Sequence, residues 1–267
     1  MVVIPARAGS SRLPRKPLAM IAGRSLLHRT IAMARAATRS LSDIDLVVAT
    51  DDDEIADHAR AAGCEAVMTD HGIATGSGRA LAAARGCAQP PRFVVNLQGD
   101  SPFQPEGALG AVVAALDAGA HVATPVIALD WPALDALRDH KRRSPFSGTT
   151  CACAADGRAL WFSKAIIPAI RGESALRTSQ PLSPVLRHVG LYGYRLDALE
   201  RFEAEPPSAM EQLEGLEQLR LLELGISIMT VRVDPPSFDS SGIDTQADIT
   251  RVERLIAAHG DPTPPLP

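Results

Sequence analysis

Four basic side chains, Arg7, Arg12, Arg15 and Lys16, fall within ten residues of a chain whose formal net charge is −4. Between the first two lie only small residues, Ala8, Gly9, Ser10 and Ser11. Small residues let backbone N–H groups approach an anion closely. Arginine adds forked contacts to phosphate oxygens and lysine a mobile point charge. Segment 6–16, starting at Ala6, can therefore neutralise a polyphosphate; the plainer alternative is a solvated basic loop. The segment lacks both G-x-x-x-x-G-K-[ST] and G-x-G-x-x-G, so it is neither a P-loop nor a dinucleotide fingerprint. Nor are its basic residues interleaved with aromatic ones, as in a single-strand binder.

Two carboxylates stand where such a loop would need them. Asp100 follows the apolar run 93–97 through Gln98 and Gly99, and Asp244 stands at the start of the last helical pattern. Each alone could be a turn residue or a helix cap. Together, on neighbouring strand ends facing the basic loop, they would hold a hard cation. Mg²⁺ takes a few carboxylate oxygens and completes its shell with phosphate and water.

The elements that must position these groups read as an α/β fold. Short apolar runs alternate with longer helical patterns, the signature of a parallel sheet with crossover helices. Strands are expected at 2–5, 46–50, 65–68, 93–97 and 121–126, and helices at 25–37, around Ile55 and Ala59, at 78–86 and at 105–118. From 127 to 190 the pattern loosens, broken by Pro132, Pro145, Pro168, Pro181 and Pro184. Strands at 150–154 and 188–194 there look antiparallel, as in an inserted lobe that carries the acceptor side of a site. A helix is expected at 210–224, with Leu213, Leu216, Leu219 and Leu222 on one side. A strand follows at 226–233, a helix at 244–258 and a frayed tail at 260–267. The chain divides into an α/β core (1–126), an inserted subdomain (127–195), a return to the core (196–259) and the tail (260–267). Ligands of open parallel sheets bind beyond the carboxyl ends of the strands. Clusters 6–16, 98–102 and 239–244 all fall there.

Composition narrows the class. The 267 residues are 46% apolar and 22% charged, as in an ordinary globular protein. No run approaches the roughly eighteen apolar residues of a membrane span. The start at Val2-Val3-Ile4 is strand-like and unlike a signal peptide, so the cytoplasm is expected. The acidic balance argues against general nucleic-acid binding. Cys151 and Cys153 would share one strand face. None of the seven histidines supplies further ligands at zinc spacing, so free thiols are expected. Only three of the 27 basic residues are lysine, a bias that points to a GC-rich genome.

In order along the chain, these motifs resemble the 3-deoxy-manno-octulosonate (Kdo) cytidylyltransferases, or CMP-Kdo synthetases. The resemblance runs from Val2 to about Glu253. It rests on Ile4-Pro5-Ala6-Arg7, Arg12-Leu13-Pro14, Lys16-Pro17-Leu18, Val48-Ala49-Thr50-Asp51, Thr75-Gly76-Ser77 with Arg79, and Asn96-Leu97-Gln98-Gly99-Asp100. The second half adds Leu160-Trp161-Phe162-Ser163, Arg187-His188-Val189-Gly190-Leu191-Tyr192-Gly193-Tyr194-Arg195, Leu216-Glu217-Gln218-Leu219-Arg220 and Gly242-Ile243-Asp244-Thr245.

The resemblance implies a Rossmann-like, glycosyltransferase-A-like nucleotidyltransferase fold with a mostly parallel central sheet, helices on both faces and a smaller inserted lobe. It implies a homodimer and CMP transfer from CTP to an acidic acceptor. CTP would be bound by Ala6, Arg7, Ala8, Gly9, Arg12 and Lys16, by Thr75, Gly76, Ser77 and Arg79, and by Gln98 and Gly99. Arg7, Arg12, Lys16 and Asp100 would be catalytic, and Asp100 and Asp244 would hold Mg²⁺. Gln98, Lys164, Arg171, His188, Tyr192, Glu217 and Gln218 would bind the acceptor.

The departures gather near the acceptor. Lys164 stands for an arginine, Thr150 for a lysine, and Ser101 and Gly78 for glutamates; the segment before Asp244 is longer and contains Asp239. Such a pattern leaves two acceptors open, Kdo or a close sugar acid, and a small phosphonate such as phosphonoformate. A non-catalytic nucleotide-binding relative would be expected to have lost Lys16, Asp100 or Asp244, and all three are present.

Overall fold

The computed structural model describes residues 1–10, 12–236, 238 and 242–266. The chain opens with β1 (Val2–Pro5), a 3-10 turn at Lys16–Leu18, a small hairpin of β2 (Met20–Ile21) and β3 (Arg24–Ser25), and α1 (Leu26–Thr38). It continues through β4 (Leu46–Thr50), α2 (Asp53–Ala61), β5 (Glu65–Met68), α3 (Gly76–Arg85), β6 (Phe93–Leu97), α4 (Ala108–Asp117) and β7 (Val122–Asp130). Helix starts follow local chemistry. The side chains of Ser25, Asp52 and Thr75 accept the backbone N–H groups of His28, Ile55 and Gly78, satisfying donors that a helix leaves unpaired.

Strands β5, β4, β1 and β6 form a parallel array, with Val2 opposite Leu46 on one side and Val95 on the other. Apolar side chains project from both faces. Val2 and Ile4 pack with Leu27, Ile31, Ile55 and Val112 from α1, α2 and α4. Val3 packs on the opposite face with Ala80 and Ala84 of α3. Burial on two faces is why β1, β4 and β6 read as nearly continuous apolar runs rather than alternating ones, whereas the edge strand β5 is only partly covered.

The region from 127 onward is more regular than its prolines suggest. It holds α5 (Trp131–Arg143), β8 (Thr150–Cys153), β9 (Ala159–Ser163), α6 (Glu173–Ser179), β10 (Leu182–His188) and β11 (Leu191–Arg195). Pro132 stands in the first turn of α5, where a missing N–H costs nothing, and Asp130 caps that helix. The strand expected at 188–194 is two strands, both antiparallel to β7; β11 also pairs β6 and β10 also pairs β8. The lobe thus extends the central sheet to ten strands rather than standing apart from it.

The chain ends with α7 (Leu196–Glu203), α8 (Ala209–Glu214), α9 (Gln218–Glu223), β12 (Ile228–Arg232) and α10 (Gln246–His259). The single helix expected at 210–224 is α8 and α9, parted by Gly215 at φ +62°, a left-handed conformation that ends a helix. The cap of α10 is Thr245, in a reciprocal box with Asp248, which leaves the Asp244 side chain available for other work. The tail is tied down rather than frayed. Fully buried Arg29 donates to Asp261 at 2.7 Å and to Thr263 Oγ1 at 2.6 Å.

Candidate active site

Beyond the carboxyl ends of β1 and β6 lies an open cleft of about 370 Å³. The two strand ends converge closely, since a Cβ on Gly99 would sit 2.7 Å from the Pro5 carbonyl oxygen. Only glycine permits that approach. Ala6, Arg7, Gly9, Arg12 and Lys16 line the cleft from the first loop, and Gln98, Gly99 and Asp100 from the second. Thr75, Gly76, Ser77 and Arg79 close it from α3, and Glu217 and Asp244 complete the wall. Arg7 Nη1 donates to the Ala74 carbonyl at 3.0 Å across the mouth. Ala8 is half-buried behind this wall, its carbonyl accepting the N–H groups of Ser10 and Arg15.

A separate apolar cluster brings the distant charges together. Ile21 and Leu26 after the basic loop, Phe103 after Asp100, and Ile243, Ile249 and Val252 around Asp244 pack into one core. The Ile243 N–H also donates to the Asp100 carbonyl at 2.9 Å. The Lys16 ammonium consequently lies 2.7 Å from Asp100 Oδ2 and 3.0 Å from Asp244 Oδ1. Arg12 Nη2 is also 3.0 Å from that Asp244 oxygen. Burial opposes the lysine charge, but the Asp100 and Asp244 carboxylates outweigh it and push the Lys16 pKa up.

The two carboxylates suit a divalent ion: they converge, both are partly exposed, and the Lys16 ammonium already sits between them. Among the described residues no three His, Cys, Asp or Glu side chains converge. An ion here would therefore complete its shell with phosphate oxygens and water, as Mg²⁺ does.

Arg79 lines the cleft yet is committed to its own scaffold. It is buried, with Nη2 2.9 Å from Asp51 Oδ2 and Nη1 donating to Thr69 Oγ1 at 2.6 Å. Asp51 also meets His71 Nδ1 at 2.7 Å.

Among the residues expected on the acceptor side, Glu217 accepts the Ser77 hydroxyl at 2.8 Å, and burial raises its pKa. His188 Nε2 lies 2.9 Å from Thr124 Oγ1. Burial first, and then the Lys164 charge, push His188 down to about 3, so its ring is neutral. Tyr192, with its ring centroid 5.2 Å from that of His188, is held well above the usual phenol pKa by burial. Gln218 is buried. Lys164 Nζ donates to Thr149 Oγ1 at 3.2 Å, and burial lowers its pKa. Arg171 is exposed and, like Lys164, His188, Tyr192 and Gln218, does not line the cleft; of the residues expected to bind the acceptor, Gln98 and Glu217 do.

The departures find local explanations. Thr150 is fully buried; its hydroxyl donates to the Ala165 carbonyl at 2.7 Å and accepts the Ile167 N–H at 3.1 Å. That is a structural staple. A Cβ on Gly78 would sit 3.0 Å from Glu203 Oε2, so a carboxylate from α7 fills the space beside it. Ser101 Oγ donates to Asp100 Oδ1 at 3.3 Å. Asp239, like Ser11, lies outside the described residues. Cys151 and Cys153 are free thiols with Sγ atoms 3.5 Å apart, on one face as their spacing requires.

Sequence reasoning did not assign Asn96, Pro5, Pro17, Leu26 and Ala74 to the wall. Pro5, Pro17 and Asn96 stood within the motifs, and Asn96 carried a further signal, a polar side chain inside the apolar run Val94-Val95-Asn96-Leu97.

Comparison with known proteins bears on this geometry. A family model described as cytidylyltransferase matches residues 1–228. A 3-deoxy-manno-octulosonate cytidylyltransferase from Maricaulis maris is 41% identical over 264 residues, covering 98% of each chain. One from Anaeromyxobacter dehalogenans is 42% identical over 260 residues, covering 96% of this chain and 97% of its own. A CMP:2-keto-3-deoxy-manno-octonic acid synthetase solved in complex with CTP superposes with a TM-score of 0.79 at 31% identity, covering 96% of this chain and 98% of the other. A 4-diphosphocytidyl-2C-methyl-D-erythritol synthase from Anaerococcus prevotii, at TM-score 0.59 and 13% identity, shares the fold alone. Nothing in these likenesses supports the phosphonate acceptor, and the buried staple made by Thr150 removes one of the departures that suggested it.

Proposed function

The chain belongs to the cytidylyltransferase family, among the 3-deoxy-manno-octulosonate cytidylyltransferases, and from that premise we propose that it transfers CMP from CTP to Kdo and releases pyrophosphate. The observation that carries the assignment is the gathering of Lys16, Arg12, Asp100 and Asp244 at one cleft beside a small-residue loop. The same gathering speaks against a non-catalytic relative.

An acceptor hydroxyl oxygen attacks the α-phosphorus of CTP in line, giving up its proton to solvent; the new P–O bond forms as the bond to the β-phosphate oxygen breaks and pyrophosphate departs. The protein's part in such a transfer is positioning and charge neutralisation. Arg7, Arg12 and Lys16 bind the triphosphate, helped by the small-residue loop at Ala8 and Gly9. Thr75, Gly76, Ser77 and Arg79, with Gln98 and Gly99, form the nucleoside side, Arg79 acting through a guanidinium already fixed on Asp51. Asp100 and Asp244 would hold Mg²⁺, which when bound withdraws charge from the phosphates and lowers the pKa of the acceptor hydroxyl.

Glu217 and Gln98 line the cleft and would contact the acceptor; His188, Tyr192, Gln218 and Lys164, which do not line it, would support the acceptor side from the packed interior. Lys164 is the cation among them. Arg171, on the surface, has no part in the arrangement described.

The active unit is a homodimer in the cytoplasm. Support for the dimer is that the exposed large apolar side chains include Phe146, Leu160, Leu182, Met210 and Leu213, all between residues 146 and 213. Among the described residues no helix is long and apolar enough to cross a membrane.

Pyrophosphate release with CTP and Mg²⁺, offering Kdo beside other acidic sugars and small phosphonates, tests the assignment. Turnover confined to Kdo is expected; turnover with a phosphonate alone would overturn it.

A further inference from the structure

The Lys16 ammonium stands where a cation shared by Asp100 and Asp244 would stand, 2.7 Å from one carboxylate and 3.0 Å from the other. Its backbone leaves little freedom to be elsewhere. Arg15 before it takes a left-handed conformation, and Pro17 after it is buried in the 3-10 turn. The lysine side chain is only 17% exposed, against 65% for Arg12, whose contact with Asp244 is correspondingly the looser one. A flexible four-carbon stem nevertheless lets the ammonium swing while the backbone stays fixed.

Charge decides which cation sits there. Two carboxylates facing Lys16 and Arg12 are balanced, so a divalent ion entering that group would meet two fixed positive charges. A triphosphate changes the balance. Its oxygens draw Lys16 and Arg12 away and leave the carboxylate pair with two uncompensated negative charges.

We propose that Lys16 is an exchangeable counter-ion that keeps the Asp100–Asp244 pair closed to divalent metal until a nucleotide triphosphate draws it off. Metal and nucleotide then bind cooperatively, each raising the other's affinity by the same factor, as linkage requires. The inference rests on the reading of Asp100 and Asp244 as the metal-holding pair. It gives Lys16 two positions in one cycle, on the carboxylates before the nucleotide binds and on the phosphates afterwards.

The test is Mn²⁺ binding, followed by the loss of its free-ion paramagnetic resonance signal. Wild type, Lys16→Met, Lys16→Gln and Asp100→Asn are compared, each with and without the non-reactive α,β-methylene analogue of CTP. Without nucleotide, wild type should bind Mn²⁺ weakly and both Lys16 variants on the order of ten-fold or more tightly. The analogue should sharply raise the wild-type affinity and add less in the Lys16 variants. Equal nucleotide-free affinity in wild type and both Lys16 variants, with Asp100→Asn still weakened, would overturn the exchange while leaving the metal assignment standing. Undiminished Mn²⁺ binding by Asp100→Asn in the presence of the analogue would sink the metal assignment, and the exchange with it. A circular-dichroism melt of each variant confirms that a folded protein is being titrated.

Discussion

The parallel half of the sheet and its antiparallel extension handle charge in opposite ways. At the ends of β1 and β6, Arg7, Arg12 and Lys16 face an open cleft, and the carboxylates opposite them are about a third exposed. In the extension, His188, Tyr192 and Lys164 are withdrawn from water, and burial is the first cause of every shift in their pKa values. An open site suits a triphosphate, whose many charges need mobile counter-ions. Buried, internally bonded side chains such as those of the extension instead contribute to the packing of the fold. Substitutions in the first region should therefore change chemistry and spare the fold, whereas those in the second should also affect stability.

The largest effect expected is from Asp100→Asn, which should lower kcat on the order of 10²–10³-fold, the usual loss when one preorganised electrostatic group is removed. Its melting temperature should stay near wild type, because the side chain is partly exposed. A collapse of stability would erase the contrast between the two regions. Thr150→Val comes next. Removing a fully buried hydroxyl with two partners should cost about 1–3 kcal/mol of unfolding free energy in a denaturant titration and leave the KM for CTP unchanged.

A smaller effect is expected from pH. His188 is held at about 3 in the folded chain against an ordinary 6.5, so between those values the unfolded chain binds the extra proton. Stability should fall as pH drops below 6.5 and continue to be lost toward 3. Charged or titratable neighbours include Lys164, Tyr192 and Glu217; the raised pKa of Glu217 acts in the opposite direction, favouring the fold as pH falls. Melting temperatures from pH 7 to pH 5 should decline less steeply for His188→Gln than for wild type. Matching slopes would mean that the pocket is wetter than its packing implies.

The smallest signal is chemical. Cys153 is half-buried and its pKa is lowered by the Cys151 thiol, whereas burial pushes Cys64 up to about 11. Iodoacetamide at neutral pH should therefore label Cys153 ahead of Cys64, read by peptide mass spectrometry.

Much of the parallel half was legible because its signals are local. Residues 2–5, 46–50, 65–68 and 93–97 are strands as expected; 2–5, 46–50 and 93–97 are largely apolar because both their faces are covered, and the edge strand 65–68 is less buried. The same reasoning misread α5, where Pro132 marks a start rather than a break. It also joined α8 to α9, because leucines every three residues outweighed one left-handed glycine. The cap of α10 is one residue beyond Asp244, a shift that pattern alone does not resolve.

By itself the sequence determined which side chains can bind phosphate and metal, since charge, forked donors and small residues are properties of residue type. Only the tertiary structure decided which of them meet. Lys16 reaches Asp100 across 84 residues and Asp244 across 228, and Arg29 fixes the tail across 232. Contacts at such separations depend on strand order and on the core formed by Ile21, Leu26, Phe103, Ile243, Ile249 and Val252, and no local periodicity carries that information.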